Sequence, residues 1–176
     1  MYYFAHFLVF SITSLLVSGQ EYTVLPVSIE KCKVHGDNEL SYNVGLTDQD
    51  GTKTFSIEAE LSSTLNESCT FSADVDLWSG SQYNHYMNAD GSACESIENM
   101  LKSAWGRFKS NLEPSVEDSC TFKPGKYSIS EFQVSSGEIN VPIPSKGLFK
   151  AHVHLVCDKS EVVCLTVEFE VIEDED

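Results

Sequence analysis

The residues that decide the fold run from Cys120 to Val171. They open with Cys120-Thr-Phe-Lys-Pro-Gly-Lys-Tyr-Ser-Ile129, pass through Glu138-Ile-Asn-Val-Pro-Ile-Pro144, and close with two segments, Leu148 to Cys157 and Val162 to Ile172. Pro124 sets φ for the first central position of a turn and Gly125 tolerates positive φ at the second, so Pro-Gly reads as a type II turn that launches a strand. The last two segments alternate. Phe149, Ala151, Val153, Leu155 and Cys157 share one face, with Lys150, His152 and His154 on the other; Val163, Leu165, Val167, Phe169 and Val171 oppose Cys164, Thr166, Glu168 and Glu170. Two such segments in succession predict an antiparallel hairpin with one dry side.

Upstream, the same period recurs. Residues 22 to 31 read as a first strand ending at Cys32. Leu40, Tyr42, Val44 and Leu46 alternate with polar neighbours, as do Phe55, Ile57, Ala59 and Leu61, and Asp48-Gln-Asp-Gly51 turns the chain between them, giving a hairpin over 40–62. A fourth strand carries Cys69, Phe71, Ala73, Val75 and Leu77 inward. Residues 79 to 91 break the alternation and read as a loop, though one holding Tyr83, Tyr86 and Met87. Ser92-Ala-Cys-Glu95 is a capping box, and Cys94, Ile97, Leu101, Ala104, Trp105 and Phe108 recur at helical spacing, so one helix is expected over about 92–108, ended by Asn111-Leu-Glu-Pro114. The fold class is therefore mainly β: an immunoglobulin-like sandwich or a cup of two antiparallel sheets, with that helix as a flap.

The first 19 residues contain no Lys, Arg, Asp or Glu. The apolar run Phe7 to Val17, followed by Val17-Ser18-Gly19, predicts a cleaved signal peptide over 1–19; a membrane anchor would need roughly 20 apolar residues. One domain follows, over 20–172, and 173–176 read as a solvated acidic tail. The destination implied is extracellular, or the endolysosomal lumen. The formal charge of −16 repels phosphate backbones and anionic bilayers, so no nucleic-acid partner is expected.

All six cysteines (32, 69, 94, 120, 157, 164) follow the leader, and an even number in a secreted chain implies three disulfides. Directly opposed residues of a hairpin share a face, so Cys157 and Cys164, on opposite faces, should not pair unless a bulge intervenes. Cys69 and Cys157 both point inward and are paired on that ground; Cys94 and Cys120 bracket the helix; Cys32 and Cys164 remain. The alternative, Cys157 with Cys164 and Cys32 with Cys69, stays open because bulges are common. The sequon Asn66-Glu67-Ser68 predicts a glycan on an exposed loop.

The pattern Cys120-x-Phe-Lys-x-Gly-x-Tyr-Ser128, then Glu131-Phe-x-Val134, Pro142, the strand at Gly147 and Cys164-Leu-x-Val167, resembles the carboxy-terminal half of the ganglioside activator family within the lipid-recognition (ML) superfamily. The insect secreted proteins of the chemosensory B class are similar as well. The likeness reaches more weakly to Gly91-Ser92-x-Cys94 and to Cys32, and covers about residues 22–171. It implies Cys32–Cys164 and Cys94–Cys120 disulfides, with no counterpart for Cys69–Cys157. It also implies a β-cup that holds acyl chains between its sheets, carrying or presenting lipid to a hydrolase or a chemosensory receptor, with transient contact at a membrane surface and no catalysis or cofactor.

Two loops carry apolar residues, Trp78 to Met87 and Ile139 to Pro144, and apolar rims mark ligand or membrane contact. Trp78, Tyr83, Tyr86, Met87, Ile139, Val141 and Ile143 are the expected mouth. Phe71, Val75, Leu101, Trp105, Phe132, Phe149 and Val153 are the expected wall, although plain core is the commoner role for inward apolar residues of a sandwich. His152 and His154 lie two apart on one strand face without a third ligand, His35 and His85 sit in loops without a metal pattern, and no G-x-S-x-G or H-E-x-x-H motif occurs. No metal site and no catalytic group is expected. The competing class, a structural or adhesive immunoglobulin-like domain, is disfavoured by the helix that interrupts the strands and by the absence of a Tyr two residues before Cys120.

Overall fold

A computed structural model describes residues 22–34, 40–49, 52–116, 120–135, 138–141, 143 and 145–173. The expected leader over 1–19, His35, Pro142, Pro144 and residues 174–176 lie outside these. The described strands are β1 (Tyr22–Lys31), β2 (Ser41–Gln49), β3 (Thr52–Leu61), β4 (Thr70–Trp78), β5 (Tyr83–Ser92), β6 (Gly125–Gln133), β7 (Gly147–Cys157) and β8 (Ser160–Glu173), with helices α1 (Ala93–Leu101) and α2 (Ala104–Asn111) between β5 and β6. They build a five-stranded sheet in the order β1-β8-β7-β4-β5 and a three-stranded sheet in the order β2-β3-β6. Every neighbouring pair is antiparallel. The chain is thus mainly β, in two antiparallel sheets, as its alternation predicts.

The β7–β8 hairpin sets the register of the larger sheet. Phe149 faces Phe169, Ala151 faces Val167, Val153 faces Leu165 and Leu155 faces Val163, so one face is apolar throughout. Asp158 and Lys159 take left-handed φ values of 50° and 67°, which suits a two-residue turn matching the right-handed strand twist. At the other end of β7, Gly147 has φ 149°, and a Cβ there would come within 2.8 Å of Leu77 Cδ1, so β7 enters the sheet where only glycine fits.

A bulge does interrupt the hairpin, between Leu155 and Val156, but it leaves Cys157 opposite Ser160 and Cys164 opposite His154. The two cysteines accordingly bond elsewhere. The disulfides are Cys32–Cys164, Cys69–Cys157 and Cys94–Cys120, the set that side-chain parity assigned. Cys69–Cys157 ties β7 to the start of β4 across 88 residues of chain, a closure that chain entropy values at about 4 to 5 kcal/mol.

Two readings of the chain are corrected. Residues 83–92, expected as loop, form the edge strand β5, preceded by a turn in which Ser79 N–H donates to Gln82 O at 2.9 Å. A register shift between Val75 and Asp76 inserts Tyr86 into the ladder, so Tyr86 and the adjacent Met87 both reach the apolar face and the simple alternation is lost. The single helix over 92–108 is two. Ser92 caps α1 through the backbone N–H of Glu95, as the capping box predicts, but α1 stops at Lys102, whose φ is 43°, and α2 restarts at Ala104. Ala93 at the head of α1 belongs to the core beside Cys69 and Cys157, whereas Leu101 at its end and Ala104 in α2 belong to the core on β6, so the break falls where the segment passes within the second cluster. Glu173, the first residue of the expected acidic tail, is the last residue of β8 and lies opposite Tyr22.

Candidate functional site

The interior is divided, and the division defines the site. One apolar cluster joins the two sheets: Leu40, Tyr42 and Leu61 from the β2–β3 side meet Cys69, Cys157 and Val162 from the larger sheet. The Tyr42 hydroxyl donates to Cys164 O at 2.7 Å, crossing from β2 to β8 and pinning this end shut. Away from it the clusters separate. One lies on the five-stranded sheet, around Val24, Val75, Phe149, Ala151 and Val171. The other lies on the three-stranded sheet, around Ile129 and Phe132, with Ala104 and Leu112 from the helical segment. The sheets are therefore joined at the Cys69–Cys157 end and carry separate apolar faces at the other.

Between those faces, inward apolar side chains keep contact with solvent. Val153 and Val167, on the five-stranded sheet, are only half-buried, and so are Val44, Leu46, Phe55 and Ile57 on the three-stranded sheet; Leu155, Val163 and Leu165, also half-buried, pack against the joining cluster. A filled sandwich closes such positions, because facing side chains interdigitate at crystal-like density. Among the described residues no polar or charged side chain is fully buried.

Residues 138–141, 143 and 145 lie along the open end. Ile143 is buried against the five-stranded sheet, with Ile139 and Val141 packed beside it. The polar ties of these residues are local: Asn140 N–H donates to Met100 O at 2.7 Å, Arg107 pairs with Glu138 at 2.7 Å, and the Tyr86 and Ser145 hydroxyls share a hydrogen bond of 3.1 Å. Glu138 also accepts from Ser135 N–H, and that bond, with Arg107 behind it, holds its carboxyl below the ordinary range. The strap is thus fastened to α1, α2 and β5.

Most of the expected site residues meet here. Phe71, Val75, Tyr86, Met87, Ile139, Val141, Ile143, Phe149 and Val153 all fall in or against the cluster on the five-stranded sheet. Phe149 is fully buried, stacked on Phe169 and edge-on to Tyr86, and so is floor rather than surface. Leu101 and Phe132 belong to the separate cluster on the three-stranded sheet, and Trp105 reaches it by stacking on Phe108, which in turn meets Phe132 edge-on.

Trp78 and Tyr83, expected at the mouth, are on the opposite face. Both sit where β4 and β5 point away from the apolar cluster, their rings 5.1 Å apart. Lys150 lies over the Tyr83 ring and pairs with Glu168 at 2.9 Å, while the Tyr83 hydroxyl donates to Glu168 at 3.2 Å. The ammonium keeps Glu168 below the usual carboxylate range; Glu168 raises Lys150 in return, and partial burial beside the same carboxylate raises Tyr83. This is an outer-surface ionic cluster.

His152 and His154 do not converge. Each spends Nδ1 on β8, His152 with Thr166 Oγ1 at 3.1 Å and His154 with Glu161 Oε1 at 2.6 Å. Cys164 lies near the second pair, but its sulfur is in a disulfide and has no thiolate to offer. Asn66 sits in the β3–β4 connection and accepts from Ser68 N–H at 2.9 Å, with Glu67 and Ser68 exposed. A groove of about 450 Å³ crosses the outer face of the three-stranded sheet, but Glu58, Glu60, Glu113 and Lys126 line it, which makes it no place for an aliphatic chain.

Sequence reasoning did not single out Val44, Leu46 and Val167 as site residues. Alternation placed all three inward, but which inward positions stay open is a property of the sheet separation. The Tyr86–Ser145 and Arg107–Glu138 ties had no local signal, since each joins residues at least 31 apart. No protein-family model and no curated protein sequence matches this chain.

Proposed function

We propose that this protein is a secreted, non-enzymatic carrier of a hydrophobic small molecule, whose aliphatic part lies between the two sheets, and that it belongs to the lipid-recognition superfamily its carboxy-terminal motifs resemble. The observation that carries the proposal is the set of half-buried apolar side chains on the inner faces of both sheets, Val153 and Val167 on the five-stranded sheet and Val44, Leu46, Phe55 and Ile57 on the three-stranded one. Burying a guest chain against them gains about 0.8 kcal/mol per methylene. The three disulfides fit an oxidising compartment, and no helix of the described residues is long and apolar enough to cross a membrane. The apolar strap over 139–143 is the part that would pass a lipid to a membrane, receptor or hydrolase.

The test is stability of the delipidated protein with and without added long-chain lipid. A ligand selective for the folded state at a hundredfold its Kd raises stability by about 2.7 kcal/mol, read as a shift of the urea midpoint. An unmoved midpoint across alcohols, glycolipids and sterols leaves the structural or adhesive reading in its place.

A further inference from the structure

Resting on the carrier reading, we infer that the guest is an uncharged long-chain lipid with a small polar end such as a hydroxyl, and that the chain selects against anionic amphiphiles, fatty-acid carboxylates included. Three observations carry this. First, the interior holds no fully buried polar or charged side chain among the described residues, so nothing inside can neutralise a carboxylate. Second, three cations around the open end already hold acids. Lys53 pairs with Asp48 at 2.8 Å at the β2–β3 hairpin, Arg107 with Glu138 at 2.7 Å at one end of the strap, and Lys146 with Glu173 at 3.6 Å at the other. An anionic headgroup arriving at any of these three must displace a carboxylate to gain a partner. Third, the chain as a whole carries −16, and charges within about 8 Å of the mouth are poorly screened at physiological salt. The Tyr86 and Ser145 hydroxyls at this end share a bond that a guest hydroxyl, itself both donor and acceptor, can join.

The experiment is competition against an uncharged fluorescent probe, 1-aminoanthracene, on the delipidated full chain at pH 7.4, comparing dodecan-1-ol with dodecanoate below their aggregation limits. The two share a chain, so the difference reads the headgroup. Dodecanol is expected to displace the probe at least about tenfold more effectively. The variants Asp48→Asn and Glu173→Gln release Lys53 and Lys146 while keeping an amide acceptor in place and leaving the Arg107–Glu138 tie of the strap intact, and the double variant should improve dodecanoate severalfold with dodecanol unchanged. Its urea midpoint checks that it is folded. Dodecanoate matching dodecanol on the unaltered chain, or no gain for dodecanoate in the double variant, overturns the charge selection and leaves the carrier reading intact. Failure of the probe and of both lipids to bind overturns the carrier reading itself.

Discussion

Replacing Val167 with Trp separates a hollow interior from a filled one by the sign of the effect. Val167 sits mid-strand in β8, faces Ala151 across the ladder, and is half-buried. Into a packed core the larger ring would force neighbours off their rotamers at a cost of about 1 to 3 kcal/mol. Into an open space beside a small neighbour it buries more apolar area without strain, and the unfolding free energy should stay level or rise by up to about 1 kcal/mol. Val171→Trp is the internal control. That side chain is 1 % exposed within the Phe149 and Phe169 cluster, so the substitution must overpack and lose about 1 to 3 kcal/mol. The ring at 167 also takes the room of about three guest methylenes, about 2.4 kcal/mol of binding or roughly fiftyfold in affinity. Urea unfolding of both variants, with dodecanol competition on Val167→Trp, reads all three quantities. A destabilisation at 167 equal to that at 171 would refute the reasoning, because it would mean that the space is already full.

Removing the Cys69–Cys157 bridge as a double alanine variant should lower stability by about 3 to 5 kcal/mol, measured by urea unfolding, since it frees an 88-residue closure and opens the joined end. Glu168→Gln tests linkage on the outer face. Lys150 depresses the folded-state pKa of Glu168, so the pair's contribution is fully present above the ordinary value of 4.5 and is lost as pH falls through the lower folded value. A urea-midpoint series from pH 7 to 3 should therefore be less steep at its acid end in the variant. Arg107→Ala removes an exposed ion pair and should cost no more than about 1 kcal/mol of stability, yet speed guest release measurably in stopped-flow dilution, because it frees one end of the strap. Ser68→Ala should abolish the mass shift that a glycosidase produces on the secreted protein, by breaking the sequon at Asn66.

The strands that sequence alone locates are those whose two faces differ. β7 and β8 alternate over their central residues, and β2 and β3 do the same, because each has one face on hydrocarbon and one on water. Parity then carried as far as the disulfides, since Cys69 and Cys157 share a face and Cys157 and Cys164 do not. β5 escaped notice because it is an edge strand with His85, Asn88 and Asp90 outward, a polar Asn84 on the inner side opposite Leu77, and a register shift that sends Tyr86 and Met87 to the same side. The same shift misled the reading of Trp78 and Tyr83: large aromatic residues in an apparent loop look like a rim, whereas a strand places them on the outer face beside Lys150. The break at Lys102, whose φ is 43°, carries no glycine or proline to announce it. The partial burial of Val44, Leu46 and Val167 had no sequence signal either, because an inward valine has the same signature whether its far side meets a neighbour or a guest.

The central claim is that the facing sheets hold a lipid. Native mass spectrometry of the protein recovered from a eukaryotic secretory host tests it directly. The account predicts a folded, disulfide-intact species carrying a discrete non-covalent adduct of lipid mass that organic solvent removes and dodecanol restores. A single apo mass before extraction, together with no adduct after incubation with dodecanol, would contradict it.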